Sequence, residues 1–334
     1  MKQLEIKDLT IHYETDDGVV EAVNSVSFAL DKGETLGLVG ETGAGKTTIA
    51  LGIMNQVPDP PGRVKGGQIV FEGEDLLKKK PKEMRKIRGN KISMIFQDPM
   101  TSLNPVKTVA DQISEVIRLH QKLSRADALR KACEMLELVG ISAERINDYP
   151  HQFSGGMKQR VVIAIALACN PALLIADEPT TALDVTIQAQ VIEMMARLKQ
   201  ELQTSMILIT HDLGVVAEMC DRVAIMYAGE VVEYGSLEDI YESDRHHPYT
   251  VGLLRSMPRV DAESHERLIP IEGTPVDMLN PPEGCPFAPR CEHAMKICLK
   301  KMPPYVELGE GHRSACWLRV QEQQGKKQEV QDHE

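Results

Sequence analysis

Gly40-Glu41-Thr42-Gly43-Ala44-Gly45-Lys46-Thr47 fits the pattern G-x-x-x-x-G-K-[ST], with an apolar run before it and a helical pattern after it. That context is what gives the pattern chemical meaning. Glycines let the backbone wrap a chain of phosphates, and the N–H groups at a helix start point at anions. Lys46 is placed to reach the β- and γ-phosphates, and the Thr47 hydroxyl to bind Mg²⁺. Gly40, Thr42, Gly43, Ala44, Gly45, Lys46, Thr47 and Thr48 are therefore candidate nucleotide-binding residues. A second apolar run, Leu173-Leu174-Ile175-Ala176, delivers Asp177 and Glu178 at its end. Asp177 suits Mg²⁺, and Glu178 is placed to take a proton from an attacking water. His211 ends a third run, where converging strand ends bring it toward the γ-phosphate. Together these residues predict a nucleoside triphosphatase.

The elements that must position them follow from hydropathy. Apolar runs at 35–39, 92–96, 172–176, 206–210 and 223–227 are continuous rather than alternating, as in parallel strands buried on both faces. Helical patterns at 46–54, 109–120, 125–139, 155–168, 187–202 and 213–219 alternate with them, which is the α/β signature. Residues 4–11 and 22–30 alternate more and predict an antiparallel part. The roughly 75 residues between the runs at 92–96 and 172–176 are too many for a simple crossover, so a helical subdomain is expected at about 98–170. Prolines from Pro248 through Pro258 to Pro289 break the pattern and predict a separate module over 243–320, with 1–242 as the nucleotide-binding domain. The polar stretch 321–334 reads as a frayed tail.

Composition narrows the function. The 334 residues are 42% hydrophobic, enough to bury a core. Lys+Arg number 38 and Asp+Glu 49, a net charge of −11 that argues against sequence-independent nucleic-acid binding. The basic run Lys78-Lys79-Lys80-Pro81-Lys82 reads as a solvated face. The longest apolar stretch, 161–169, is nine residues, and a bilayer span needs about 20. With no apolar signal-peptide core at the start, a cytoplasmic protein is expected. Cys133, Cys169 and Cys220 sit in helical patterns as small core residues. Cys285, Cys291, Cys298 and Cys316 cluster with five, six and seventeen residues between them. In a reducing compartment such a cluster reads as a metal site before a disulfide framework, and tetrahedral sulfur suits either Zn²⁺ or a 4Fe–4S cluster.

Phe153-Ser154-Gly155-Gly156-Met157-Lys158-Gln159-Arg160 resembles the signature motif of the ATP-binding-cassette ATPases. The phosphate loop, Gln97, Asp177-Glu178, Ala182-Leu183-Asp184 and His211 stand in that family's order. The resemblance implies a P-loop (RecA-like) core with an antiparallel β part and an inserted helical subdomain. The segment from Phe96 to Pro105, His247-Pro248-Tyr249-Thr250 and the stretch from Gly273 to Cys291 narrow it to ATPase subunits of oligopeptide and dipeptide importers. Phe153 and Met157 replace the Leu and Gln usual in the wider superfamily, a departure this branch tolerates.

The resemblance further implies that ATP and Mg²⁺ lie between two subunits packed head to tail, each nucleotide closed over by the partner's Ser154, Gly155 and Gly156. Gln97 would join Mg²⁺, Asp184 would sit at the seam, and Tyr13 matches the aromatic that stacks on adenine. It implies as partners a second, non-identical ATPase, two membrane permease subunits and, indirectly, a periplasmic or extracellular peptide-binding protein, with the chain on the cytoplasmic face of the membrane. Relatives with this cysteine spacing carry a 4Fe–4S cluster, so the resemblance favours that over zinc at Cys285, Cys291, Cys298 and Cys316. Nickel or another solute as cargo, or a soluble role in translation or DNA repair, are the alternative readings.

Overall fold

Runs of Val, Ile and Leu with no polar alternation can only be satisfied between two covering layers, and that is where they lie. The computed structural model describes residues 2–181, 183–257 and 269–331. Ala182, Pro258 and the last three residues of the polar stretch fall outside them. The chain opens with β1 (Lys2–Thr15), β2 (Gly18–Asp31) and β3 (Thr35–Val39), followed by α1 (Lys46–Ile53). Next come β4 (Gly62–Phe71), β5 (Glu74–Asp75), α2 (Pro81–Ile87) and β6 (Ile92–Ile95). Four helices follow: α3 (Pro99–Ser102), α4 (Val109–Gln121), α5 (Arg125–Leu138) and α6 (Gly155–Leu167). Then β7 (Leu173–Asp177), α7 (Val185–Leu202), β8 (Ser205–Thr210), α8 (Leu213–Met219), β9 (Arg222–Tyr227) and β10 (Glu230–Ser236) complete the central part. The chain closes with α9 (Leu237–Glu242), α10 (Pro248–Arg255), β11 (Tyr305–Gly309), β12 (His312–Ala315) and α11 (Trp317–Gln331).

The main sheet has the order β11-β12-β10-β9-β3-β8-β7-β6, and a smaller sheet has the order β2-β1-β4-β5. From β9 across to β6 neighbours are parallel, while the pairs from β9 outward to β11 are antiparallel. Period-two geometry divides each central strand between two cores. Leu174 and Ala176 of β7 and Met206 and Leu208 of β8 share one core with α4–α8. Leu173, Ile175, Ile207 and Ile209 face α1 and the smaller sheet. Three of the helices between β6 and β7, α4, α5 and α6, start on side-chain caps: Thr108, Ser124 and Ser154 accept from the N–H groups of Asp111, Asp127 and Met157. Cys169 and Cys220 are buried and Cys133 half-buried, as small core residues are.

The structure departs from the sequence reading in three places. The proline-rich segment is not detached from the main sheet: β11 and β12 extend that sheet, and Cys285, Phe287, Ala288 and Cys298 join the core shared with α4–α8. The polar stretch is no frayed tail as far as Gln331, because α11 runs on through it. Its Gln, Glu and Lys are good helix formers and no proline interrupts them. Arg319 also ties the helix down, donating to the carbonyl of His246 at 2.9 Å. Finally, β4 carries no strand signal in the sequence, because its GRVKGGQIVF has neither a continuous apolar run nor clean alternation.

Candidate functional site

The phosphate loop joins β3 to α1 and is held by close backbone contact. Gly43 and Gly45 have φ of 85° and 95°, the left-handed region glycine tolerates. A Cβ on Gly40 would stand 2.2 Å from the Met226 carbonyl oxygen, and one on Gly45 2.2 Å from that of Ala22. Lys46 lies folded over the loop, its Nζ donating to the carbonyls of Gly40 at 2.7 Å and Glu41 at 3.0 Å. Burial pulls its pKa below the ordinary lysine value, opposed by Glu178, Asp177 and Glu41. A buried ammonium held by neutral carbonyls is a cation for which phosphate oxygens are better partners.

The acids arrive from the neighbouring strand β7. The Thr47 hydroxyl donates to Asp177 Oδ2 at 2.9 Å. Burial pushes the Asp177 carboxyl above the usual range, the Thr47 hydrogen bond opposes it, and adjacent Glu178 adds to the rise. A hydroxyl and a carboxylate so placed are hard oxygen ligands suited to Mg²⁺, which would favour the ionised acid. Glu178 has φ 46°, an uncommon backbone for a non-glycine residue and a reservoir of strain. Its Oε2 accepts from Gln97 Nε2 at 2.8 Å and from the Thr181 hydroxyl at 2.9 Å, and Oε1 lies 3.3 Å from His211 Nδ1. Burial alone would raise the Glu178 pKa, but the hydrogen bonds from Thr181 and His211 outweigh it and leave it lowered. An ionised carboxylate is what a general base requires.

Thr42, Gly43, Ala44, Gly45, Lys46, Thr47 and Thr48 line one open cleft with Gln97, Glu178, Val20, Ala22 and Met278. Tyr13 adjoins its edge, half-buried, with its hydroxyl 3.5 Å from Thr48 Oγ1. Ser154, Gly155 and Gly156 lie elsewhere, at the start of α6. Ser154 and Gly155 are exposed, and a Cβ on Gly156 would meet Ile187 at 2.4 Å. Asp184 is exposed and caps α7, accepting from Ile187 N at 3.0 Å. The structure thus gathers the loop, both acids, Gln97 and His211 into one site and leaves the signature facing outward.

Comparison with known proteins follows the same lines. Residues 23–181 match the family model described as ABC transporter, and residues 232–298 that described as oligopeptide/dipeptide transporter, C-terminal region. The oligopeptide transport ATP-binding protein OppD of Bacillus subtilis is 55% identical, over 94% of this chain and 88% of its own. The chain belongs to the ABC transporter ATP-binding proteins. The dipeptide transport ATP-binding protein DppD of Bacillus subtilis is 51% identical over 96% of each chain. Among solved structures, a dimeric, post-hydrolysis ATP-binding cassette bound to ADP and Pi superposes with a TM-score of 0.63 at 26% identity, over 70% of this chain and 98% of that one.

Two features of this ABC protein lie outside the motif set. Cys285, Cys291, Cys298 and Cys316 converge on one small apolar pocket with Phe287 and Trp317. No two of the four are joined by a disulfide, and burial pushes the Cys285 thiol up to about 12. Four free thiols lining one pocket offer the donor type that thiophilic metals take. The second feature is a clamp on the phosphate loop. Arg290 donates to both carboxylate oxygens of Glu41, at 2.7 and 3.0 Å, and Glu41 N–H donates to the Tyr249 hydroxyl at 3.0 Å. No spacing rule links positions 41, 249 and 290. The one signal available was that Tyr249 and Arg290 both fall in segments resembling the peptide-importer branch.

Proposed function

We propose that this chain is the ATP-hydrolysing subunit that energises a membrane importer of dipeptides or oligopeptides. The observation that carries the ATPase part is the convergence of Lys46, the Thr47–Asp177 pair and Glu178 on one cleft. The names of the relatives and the matched C-terminal region support the peptide cargo. Among the described residues no helix is long and apolar enough to cross a membrane, so transport requires permease partners. Lys46 binds the β- and γ-phosphates, Gln97 and His211 orient Glu178, and Glu178 takes the proton of the attacking water. Mg²⁺, held by Thr47 and Asp177 with Gln97, would neutralise charge on the phosphates. Tyr13 stacks on the adenine, and Ser154, Gly155, Gly156 and Asp184 close over a nucleotide held by a second, non-identical ATPase subunit. The outward-facing signature supports that arrangement. Cys285, Cys291, Cys298 and Cys316 would hold a 4Fe–4S cluster in a structural or regulatory role, since ATP hydrolysis moves no electrons.

Purification of the native protein from gently solubilised membranes tests the transport reading. Two multi-span proteins and a second cassette ATPase should accompany it. Ribosomes, DNA-repair factors or nothing membrane-bound would remove the transport role and leave the ATPase. Anaerobic purification should yield brown protein with stoichiometric iron and sulfide, and colourless protein with one zinc would overturn the cluster.

A further inference from the structure

Arg290 is more than a surface partner of Glu41. Its guanidinium is almost wholly buried, donates to the carbonyls of Glu272 at 3.0 Å and Ile271 at 3.3 Å, and packs near the rings of Tyr227 and Phe287. A bidentate arginine–carboxylate pair so enclosed has a fixed geometry. Glu41 transmits that geometry, because its own carbonyl accepts from Lys46 Nζ at 3.0 Å and from Ala44 N at 3.1 Å. The other end of the chain of contacts is the thiol pocket. Arg290 ends a single 3₁₀ turn, and the bonds that define it run from Ala288 N to Cys285 O, Arg290 N to Phe287 O and Cys291 N to Ala288 O. Cys285 and Cys291 therefore bracket the turn that aims Arg290.

We infer that Arg290 is a positioning residue for the phosphate loop, and that a thiophilic metal in the four-cysteine pocket tightens nucleotide binding through the Arg290–Glu41 pair. The inference rests on the thiol-site reading above. Pinning Cys285 and Cys291 to one centre fixes the turn between them, so less ordering is left for the nucleotide to impose on Glu41 and Lys46. Coupling through such a contact falls in the 5- to 150-fold range and must be reciprocal.

The test uses the full chain in excess Mg²⁺, with a fluorescent ATP analogue and Zn²⁺ as the probe metal, bound metal being measured separately. Zinc loading should tighten analogue binding about 5-fold or more, and saturating analogue should tighten zinc binding by the same factor. In Arg290→Gln and in Glu41→Gln both linked shifts should vanish while zinc still binds, and Arg290→Lys should restore part of them. Zinc bound without a shift in the wild-type chain overturns the coupling while leaving the thiol site standing. A shift that survives in Arg290→Gln overturns the route. Failure of zinc to bind overturns the proposal, whereas the cluster reading stands or falls on the iron and sulfide content of the anaerobically purified protein. A double-mutant cycle of Glu41→Gln and Arg290→Gln on metal-free nucleotide affinity addresses the positioning role alone: additive losses overturn it.

Discussion

Replacing Gly45 with alanine tests whether backbone contact, rather than glycine flexibility alone, holds the phosphate loop. Gly45 has φ 95° and Gly43 φ 85°, a conformation that costs an L-residue roughly 1–2 kcal/mol. The two positions differ in their surroundings. A Cβ on Gly45 would stand 2.2 Å from the Ala22 carbonyl oxygen, a backbone atom of a strand paired along β1, whereas nothing lies within 4 Å of one on Gly43. Overpacking against an unyielding neighbour adds roughly 1–3 kcal/mol, so Gly45→Ala should cost about 2–5 kcal/mol and Gly43→Ala about 1–2. Urea unfolding of the nucleotide-free protein, read from midpoint shifts at a common slope, compares them directly. A fluorescent ATP analogue should also bind more weakly to Gly45→Ala than that stability loss alone explains, because Lys46 follows Gly45 in the chain. Equal stability losses at the two positions would refute the reasoning, since β2 would then be yielding freely to the added methyl.

Glu178→Gln should keep ATP binding and lower phosphate release by about 10²- to 10⁴-fold; near-normal turnover would remove Glu178 as the base. Asp177→Asn removes the ionised acceptor of the Thr47 hydroxyl, so nucleotide affinity in excess Mg²⁺ should fall to the level seen in EDTA, and an undiminished Mg²⁺ effect would place the metal elsewhere. Burial holds His247 neutral, its pKa pushed down from 6.5 to about 4 against the pull of Glu233. Below pH 6.5 the unfolded chain takes up a proton the folded chain refuses, so stability should fall by roughly 3 kcal/mol down to about pH 4 and then level, His247→Asn flattening that limb; an unchanged slope in the variant would refute the assignment. Tyr249→Phe leaves the Glu41 N–H without its acceptor and should cost about 1–3 kcal/mol in thermal unfolding; wild-type stability would show that the N–H finds another partner.

What could be read from sequence was what is local or periodic. Gly45, Lys46 and Thr47 are consecutive, so their spacing states their chemistry, and the runs at 35–39 and 206–210 lie on central strands because burial on both faces leaves only apolar residues there. The departures have different origins. The φ of Glu178 depends on the Ile209 carbonyl accepting its N–H, which nothing in an acidic residue advertises. The segment after Ser243 reads as detached because prolines break its periodicity, yet short β11 and β12 need only a free edge at β10. Arg290 and Glu41 lie 249 positions apart, and a side-chain pair at that distance leaves no pattern in one sequence.

The site combines a fixed part with a loose one. Met226 O lies against Gly40, Ala22 O against Gly45, and Arg290 and Tyr249 hold Glu41, so most of the loop that receives the phosphates is held before nucleotide arrives. Preorganised donors of this kind stabilise developing charge without reorganising during the reaction. A loop held from three sides is a poor signalling element, because it has little room to differ between ATP and ADP. Gln97 and His211 are in the opposite condition: both are exposed, and the bonds found for them run to Glu178, at 2.8 Å and 3.3 Å. Gln97 stands two residues beyond the end of β6, where the chain enters α3–α6. If the function proposed above holds, the exposed pair rather than the loop is the part with room to respond when the terminal phosphate is present. Moving Gln97 off Glu178 costs about one charge-assisted hydrogen bond, roughly 1.5–3 kcal/mol, a difference that one γ-phosphate contact can supply and its loss can reverse.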